Sequence, residues 1–276
     1  MDASEMGQVA PRKSGRVWMA VGLVTLAVGA GAVVLVLNAQ RPAQVVNAQA
    51  EVGARVAAPA VPEEVSAAEA APRARANLPA LGNSDDFVRK ALSGLGAEGA
   101  FARWLSGGDL ARKMASLLMS VSEGELPRGL LAGFAPQGQF EVEEDPEGRL
   151  WVKDATFARY DPVASFVAGL DARKVASAFT TVEPLLERAW REVAPPRLSL
   201  RQAAARATSH LLAVPVPEGD VEVVEKGAVY AYADPQLESL SSAQKQLLRL
   251  GPDNARGVQD KLREVRSALG LPTSVR

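Results

Sequence analysis

From about Leu78 onward, apolar residues recur at helical rather than strand spacing. Phe87, Val88, Ala91, Leu92 and Leu95 predict a first helix, with Ser84 or Asp85 at its start. A short helix is expected around Phe101, Trp104 and Leu105. After Gly107-Gly108, Asp109 is placed to cap an amphipathic helix carrying Leu110, Met114, Leu117, Leu118 and Val121, which Gly124 ends. Helical spacing returns with Val163, Phe166, Val167 and Leu170, and a further run starts at Asp171. Pro184 should bend or restart that run before Leu185, Leu186, Ala189 and Trp190. Leu198 to about Ala213 predicts one more helix. Asp234-Pro235 opens a helix ending near Leu250, Gly251-Pro252 interrupts it, and Val258, Leu262, Val265 and Leu269 continue, together an αα-hairpin. Two stretches alternate instead. Residues 140–154 predict a hairpin turning at Asp145-Pro146-Glu147-Gly148, and residues 221–232 another turning at Lys226-Gly227. The pattern is that of a mainly α domain with one or two small β-hairpins.

The segment 17–37, VWMAVGLVTLAVGAGAVVLVL, has no period because it is apolar throughout. As a helix it would span roughly 31 Å, against ~30 Å for a bilayer core and ~7–15 residues for the apolar region of a cleaved signal. Leu37-Asn38-Ala39 is a poor cleavage site. Arg12, Lys13 and Arg16 precede the run, whereas only Arg41 follows it before Arg55. Positive residues stay cytoplasmic, so the expectation is a single-span protein of the bacterial inner membrane with its N-terminus inside and its C-terminal part periplasmic. Residues 1–16 would be a cytoplasmic tail, 17–37 a transmembrane helix in contact with lipid, and 38–77 an Ala/Pro-rich linker. That linker lacks aromatic residues and a stable period, so it is expected to be disordered. Residues 78–276 would form the α-helical periplasmic domain.

Composition narrows the chemistry. Lys plus Arg total 31 and Asp plus Glu 32, a net charge of -1, which gives no footprint for nucleic acid. Cysteine is absent, which removes disulfides, thiolate metal sites and cysteine nucleophiles, and the single histidine, His210, makes histidine-rich metal sites unexpected. No glycine-rich phosphate loop follows a strand, and neither a cofactor nor a small-molecule ligand is evident.

The C-terminal stretch YAYADPQLESLSSAQKQLLRLGPDNARGVQDKL resembles the closing signature of an uncharacterised bacterial family, domain of unknown function 3014. LPALGNSDDFVRKAL at 78–92, ATFARYDP at 155–162 and VEPLLERAW at 182–190 agree with that family in order, so the resemblance covers most of residues 78–266. It implies the same layout of span, spacer and domain, and no known activity. Leu250 stands where the family usually has methionine. Thr180-Thr181 stand where basic residues often occur, so a basic surface on that helix is not carried over.

Candidate chemistry is sparse. Ser242-Ala243-Gln244-Lys245 matches Ser-x-x-Lys, in which lysine activates serine for acyl transfer, but no companion Ser-Asp-Asn or Lys-Thr-Gly element is present. His210 has no evident serine or cysteine partner and reads as structural. Arg197, Arg201 and Arg206 read as a solvated helix face, and the acidic tip at 145–148 as a solvated turn. Tyr160, Lys245, Arg249 and Asn254 lie in the polar segments ARYDP and QKQLLRLGPDN. They form either a partner surface or internal hydrogen bonds and caps, the second being the preferred account. The expectation is therefore a membrane-tethered interaction or scaffold module with an envelope protein partner. The alternative is an envelope hydrolase or transferase using carboxylates or Ser242 and Lys245.

Overall fold

The computed structural model describes residues 78–96, 99–134 and 136–273. The segment 17–37, the tail before it and the linker after it lie outside the described residues. Among the described residues, no helix is long and apolar enough to cross a membrane.

The domain is mainly helical. α1 (Asp85–Leu92), α2 (Gly99–Leu105) and α3 (Leu110–Ser122) come first, with single 3-10 turns at Leu81–Asn83 and Ser93–Leu95 and a longer 3-10 segment at Arg128–Phe134. β1 (Val142–Glu144) and β2 (Leu150–Val152) follow, then α4 (Asp154–Ala158), α5 (Asp161–Ala168), α6 (Ala172–Val193) and α7 (Leu200–Leu212). β3 (Glu222–Lys226), β4 (Val229–Tyr232), α8 (Pro235–Glu238), α9 (Ser242–Leu248) and α10 (Pro252–Ala268) complete the described chain.

α6 is the central element. Val175, Phe179, Val182, Leu185, Leu186 and Ala189 form its buried stripe, each 0–1 % exposed. α3 and α10 pack on it, α7 joins it on α3 and α10, and α5 packs on α10. α7 meets its neighbours through Ala203, Ala204, Ala205 and Ala207, all fully buried. Such small side chains let helix backbones approach closely, and the bulky residues of the neighbouring helices fill the space. Each large apolar side chain buried in this way contributes roughly 1.5–3 kcal/mol.

Several expectations are corrected by tertiary context. Asp109 precedes α3 but has φ +59° and makes no cap hydrogen bond. The cap comes instead from Asp85 of α1, whose carboxylate accepts the backbone N–H of Asp109 at 3.0 Å and of Leu110 at 2.8 Å. α6 runs unbroken through Pro184. Val182, Leu185 and Leu186 bury their side chains around the proline, and that burial outweighs the hydrogen bond the ring removes. The expected helix over 234–250 is two short helices, each with its own start. Asp234 accepts from Gln236 N–H, and Ser241 forms a reciprocal capping box with Gln244. α10 does not chiefly pair with α9 as a hairpin would; it packs on α5, α6 and α7.

The two hairpins are also not separate. All four strands form one antiparallel sheet in the order β1-β2-β3-β4, with Leu150 opposite Val223 and Val142 opposite Val152. Val152, Val221 and Val223 make a small second core beneath it, with Phe157 and Tyr232 packed alongside. Tyr232 also packs on the main helical core and so joins the two.

Candidate functional site

The four residues singled out from the sequence have three different fates. Asn254 is a brace. Its Nδ2 donates to Asp161 Oδ1 at 2.7 Å and to the Leu250 carbonyl at 3.0 Å, tying α10 to α5 and to the end of α9. Lys245 is a link to the sheet. Its ammonium pairs with Glu238 at 3.0 Å, and its carbonyl accepts the Tyr232 hydroxyl at 3.4 Å. Glu238 in turn accepts the Tyr232 backbone N–H at 3.3 Å.

Tyr160 and Arg249 retain hydrogen-bonding capacity. Tyr160 lies between α4 and α5 and is 1 % exposed, yet its hydroxyl finds no partner among the described residues. Arg249 follows α9 and is half-buried. Its Nη1 donates to Gln246 Oε1 at 2.9 Å. That bond fixes the orientation of the Gln246 amide, because the reverse orientation would set two donors against each other. The other end of the amide, Nε2, is buried and has no acceptor among the described residues. Arg249 is near enough to act electrostatically on the phenols of both Tyr160 and Tyr232.

Two arginines that sequence reasoning left aside complete the cluster. Arg159 lays its guanidinium 5.5 Å from the centre of the Tyr160 ring. Its Nε donates to the Thr156 carbonyl at 2.8 Å and Nη1 to the Gly138 carbonyl at 3.3 Å, while Nη2 is buried and unpaired among the described residues. Arg128, at the start of the helical turn Arg128–Phe134, feels the charge of Arg249. Burial lowers the pKa of both Arg128 and Arg159; at Arg128 the charge of Arg249 adds to it, whereas at Arg159 the nearby Tyr160 and Glu141 oppose it. No carboxylate lies within salt-bridge distance of Arg128, Arg159 or Arg249 among the described residues. Glu141 reaches Arg159 only through space and is itself paired with Lys153 at 3.3 Å. Burial raises the pKa of Tyr160 and pushes Tyr232 up to about 12, so both phenols are neutral donors at physiological pH.

The remaining sequence candidates are held in other ways. Ser242 Oγ donates to the Gly124 carbonyl at 3.3 Å, and no hydrogen bond joins it to Lys245. His210 does have a serine partner, contrary to expectation: its Nε2 lies 2.8 Å from Ser241 Oγ. Ser241 Oγ also accepts the Gln244 N–H at 3.2 Å as the cap of α9, and burial lowers the His210 pKa. This contact seals the junction where Gly124, at φ +82°, passes against the imidazole. Arg201 is not merely solvated. It forms a two-pronged pair with Glu183, donates to the Leu269 carbonyl at 3.1 Å and lies 5.5 Å from the Phe179 ring centre. At the hairpin tip, Asp145 accepts from Glu147 N–H, Arg149 N–H, Arg149 Nε and Trp151 Nε1, so its carboxylate is already occupied. Among the described residues, no group of three or more His, Asp or Glu is arranged to hold a metal.

Residues 110–266 match the family described as Protein of unknown function (DUF3014), which is more than half of the chain. The chain belongs to this family. No curated protein and no solved structure matches it. The matched region contains Arg128, Arg159, Tyr160, Tyr232, Gln246 and Arg249, so the whole cluster lies within the family's own domain.

Proposed function

We propose that the protein is a membrane-tethered binding module. The helical domain is held on the periplasmic side of the inner membrane by residues 17–37 and the linker, and recognises its partner through the surface around Tyr160 and Arg249. The apolar run and its positively charged N-terminal flank support the tether. The single observation that carries the binding reading is that Tyr160 O–H, Arg159 Nη2–H and Gln246 Nε2–H are buried donors without acceptors among the described residues. Native proteins leave few such groups, and each costs about 1–3 kcal/mol unless something binds it. A reaction has less support, because Ser242 and Lys245 are engaged separately, with Gly124 and Glu238.

The test is site-specific photocrosslinking in intact cells. A crosslinker at the exposed position Gly129, beside Arg128, is compared with one at Arg263, exposed on α10. The expected result is a discrete adduct from position 129 alone, lost when Arg249→Gln is added. Equal patterns from both positions, or an adduct indifferent to Arg249, would overturn the reading.

A further inference from the structure

Val152, Val221 and Val223 turn one face of the sheet toward its small core, so their chain neighbours Trp151, Glu222 and Val224 turn to the other. Register completes that outer face. Glu143, Trp151 and Glu222 stand in one row across β1, β2 and β3. Val224 pairs with Ala231 in the next row, and Lys226 with Val229 beyond it. Val224 is 46 % and Val229 44 % exposed, although both are large and apolar. The charges of this face are unbalanced. Lys226 pairs with Glu238 at 3.7 Å. Arg149, whose guanidinium lies 5.2 Å from the Trp151 ring centre, pairs with Asp145 at 2.8 Å and Glu147 at 3.6 Å. Both cations are thus engaged elsewhere. Glu143 and Glu222, on either side of Trp151, have no salt bridge among the described residues. Exposed valines and an indole between free carboxylates suit a polypeptide segment that carries Lys or Arg beside apolar side chains. Its cations would neutralise Glu143 and Glu222, and its apolar groups would cover Val224 and Val229. Arg149 already demonstrates that this indole accepts a guanidinium. Anionic lipid, or the same face of a second copy, would instead bring like charge against both carboxylates. We infer that the outer sheet face, centred on Trp151 between Glu143 and Glu222, is a docking surface for a cationic, apolar segment of a protein partner. It does not depend on the surface around Tyr160 and Arg249.

The experiment titrates the full chain, in a neutral detergent, with short blocked peptides that alternate Lys with Val, Lys with Ser, or Glu with Val. Calorimetry should show saturable binding of the Lys–Val peptide, weaker binding of the Lys–Ser peptide and none of the Glu–Val peptide. Replacing Glu143→Gln and Glu222→Gln together should weaken the Lys–Val peptide roughly fivefold at low salt and hardly at all at high salt, as loss of two exposed charge pairs does. Val224→Ser should weaken it roughly threefold at either salt concentration, because the lost contact is apolar. Glu264→Gln, exposed on α10, should change nothing. Peptide taken up by micelles is common to all variants and cancels in the comparison. Equal binding of the two Lys peptides, binding indifferent to the glutamate substitutions, or no binding would overturn the inference. Binding that appears only after Arg73→Gln and Arg75→Gln would give the face to the chain's own preceding segment. A particle mass halved by the glutamate substitutions would give it to a second copy. Either result would also overturn the assignment to a partner.

Discussion

A hydroxyl buried without an acceptor costs about 1–3 kcal/mol, and Tyr160 carries one in the described fold. Tyr160→Phe is therefore expected to leave the urea midpoint unchanged or raise it, even as binding weakens; a marked drop would mean that the hydroxyl is bonded within the folded chain. His210 makes the opposite kind of prediction. Burial lowers its pKa below the ordinary ~6.5, so folding favours the neutral ring. Its contribution is complete above that ordinary value, and declines as pH falls through it toward the folded value. The depressed carboxylates Asp145, Asp171, Glu192 and Glu238 titrate at more acidic pH. Between pH 7.5 and 5.5, then, the thermal midpoint should fall more steeply in the native chain than in His210→Gln. Parallel slopes would rule out a role for the ring. At this scale the sequence exposed Tyr160 and Arg249 as polar residues beside core positions. It marked the segments that hold Arg159 and Gln246 without singling those residues out, because lacking a partner is a property of the surroundings and leaves no local mark.

Helix starts show where local signals suffice. Asp171 caps α6 through the N–H groups of Arg173 and Lys174, two and three residues away, and was legible. The start of α3 was misread because its cap arrives from Asp85, whose position beside Leu110 exists only once α1 has docked. Asp85→Ala should cost about 1–2 kcal/mol in urea unfolding, as loss of a helix cap does. Asp109→Gly, at a left-handed position without a cap bond, should stay within about 1 kcal/mol of the native chain. The reverse ranking would restore Asp109 as the cap. Pro184 was misread for a related reason: the rule about proline is local, whereas the burial of Val182, Leu185 and Leu186 is supplied by other helices. Gly251 joins α9 to α10 at φ +87°, and an added Cβ would lie 2.6 Å from Phe157 Cγ. Gly251→Ala is expected to lose at least about 2 kcal/mol, read as a lowered denaturation midpoint.

Across the whole molecule, helical class, the α3 and α10 stripes and both hairpin positions were readable, because each is a periodicity within a short window. The pairing of β2 with β3 was not, because strand partners are chosen by burial on a shared face and leave no signal at their separation in the chain. The same holds for α10, whose apolar stripe announces a helix but not that it will cover α5, α6 and α7. A chain ending at Gly251 should accordingly lack a cooperative thermal transition. A sharp melt near the native midpoint would mean that the first helices form a stable unit alone.

That dependence on the final helix bears on how the polypeptide is made. A ribosome releases Val258, Leu262 and Val265 late, and until then the grooves they fill on three earlier helices stay open to water. The nascent chain must carry that greasy surface from the close of α7 until α10 emerges, and an unmatched β2 edge from Val152 until β3 emerges at Glu222. Folding of this domain therefore waits for α10 rather than proceeding stepwise as each earlier helix emerges, and a holding chaperone has its opportunity until α10 is added.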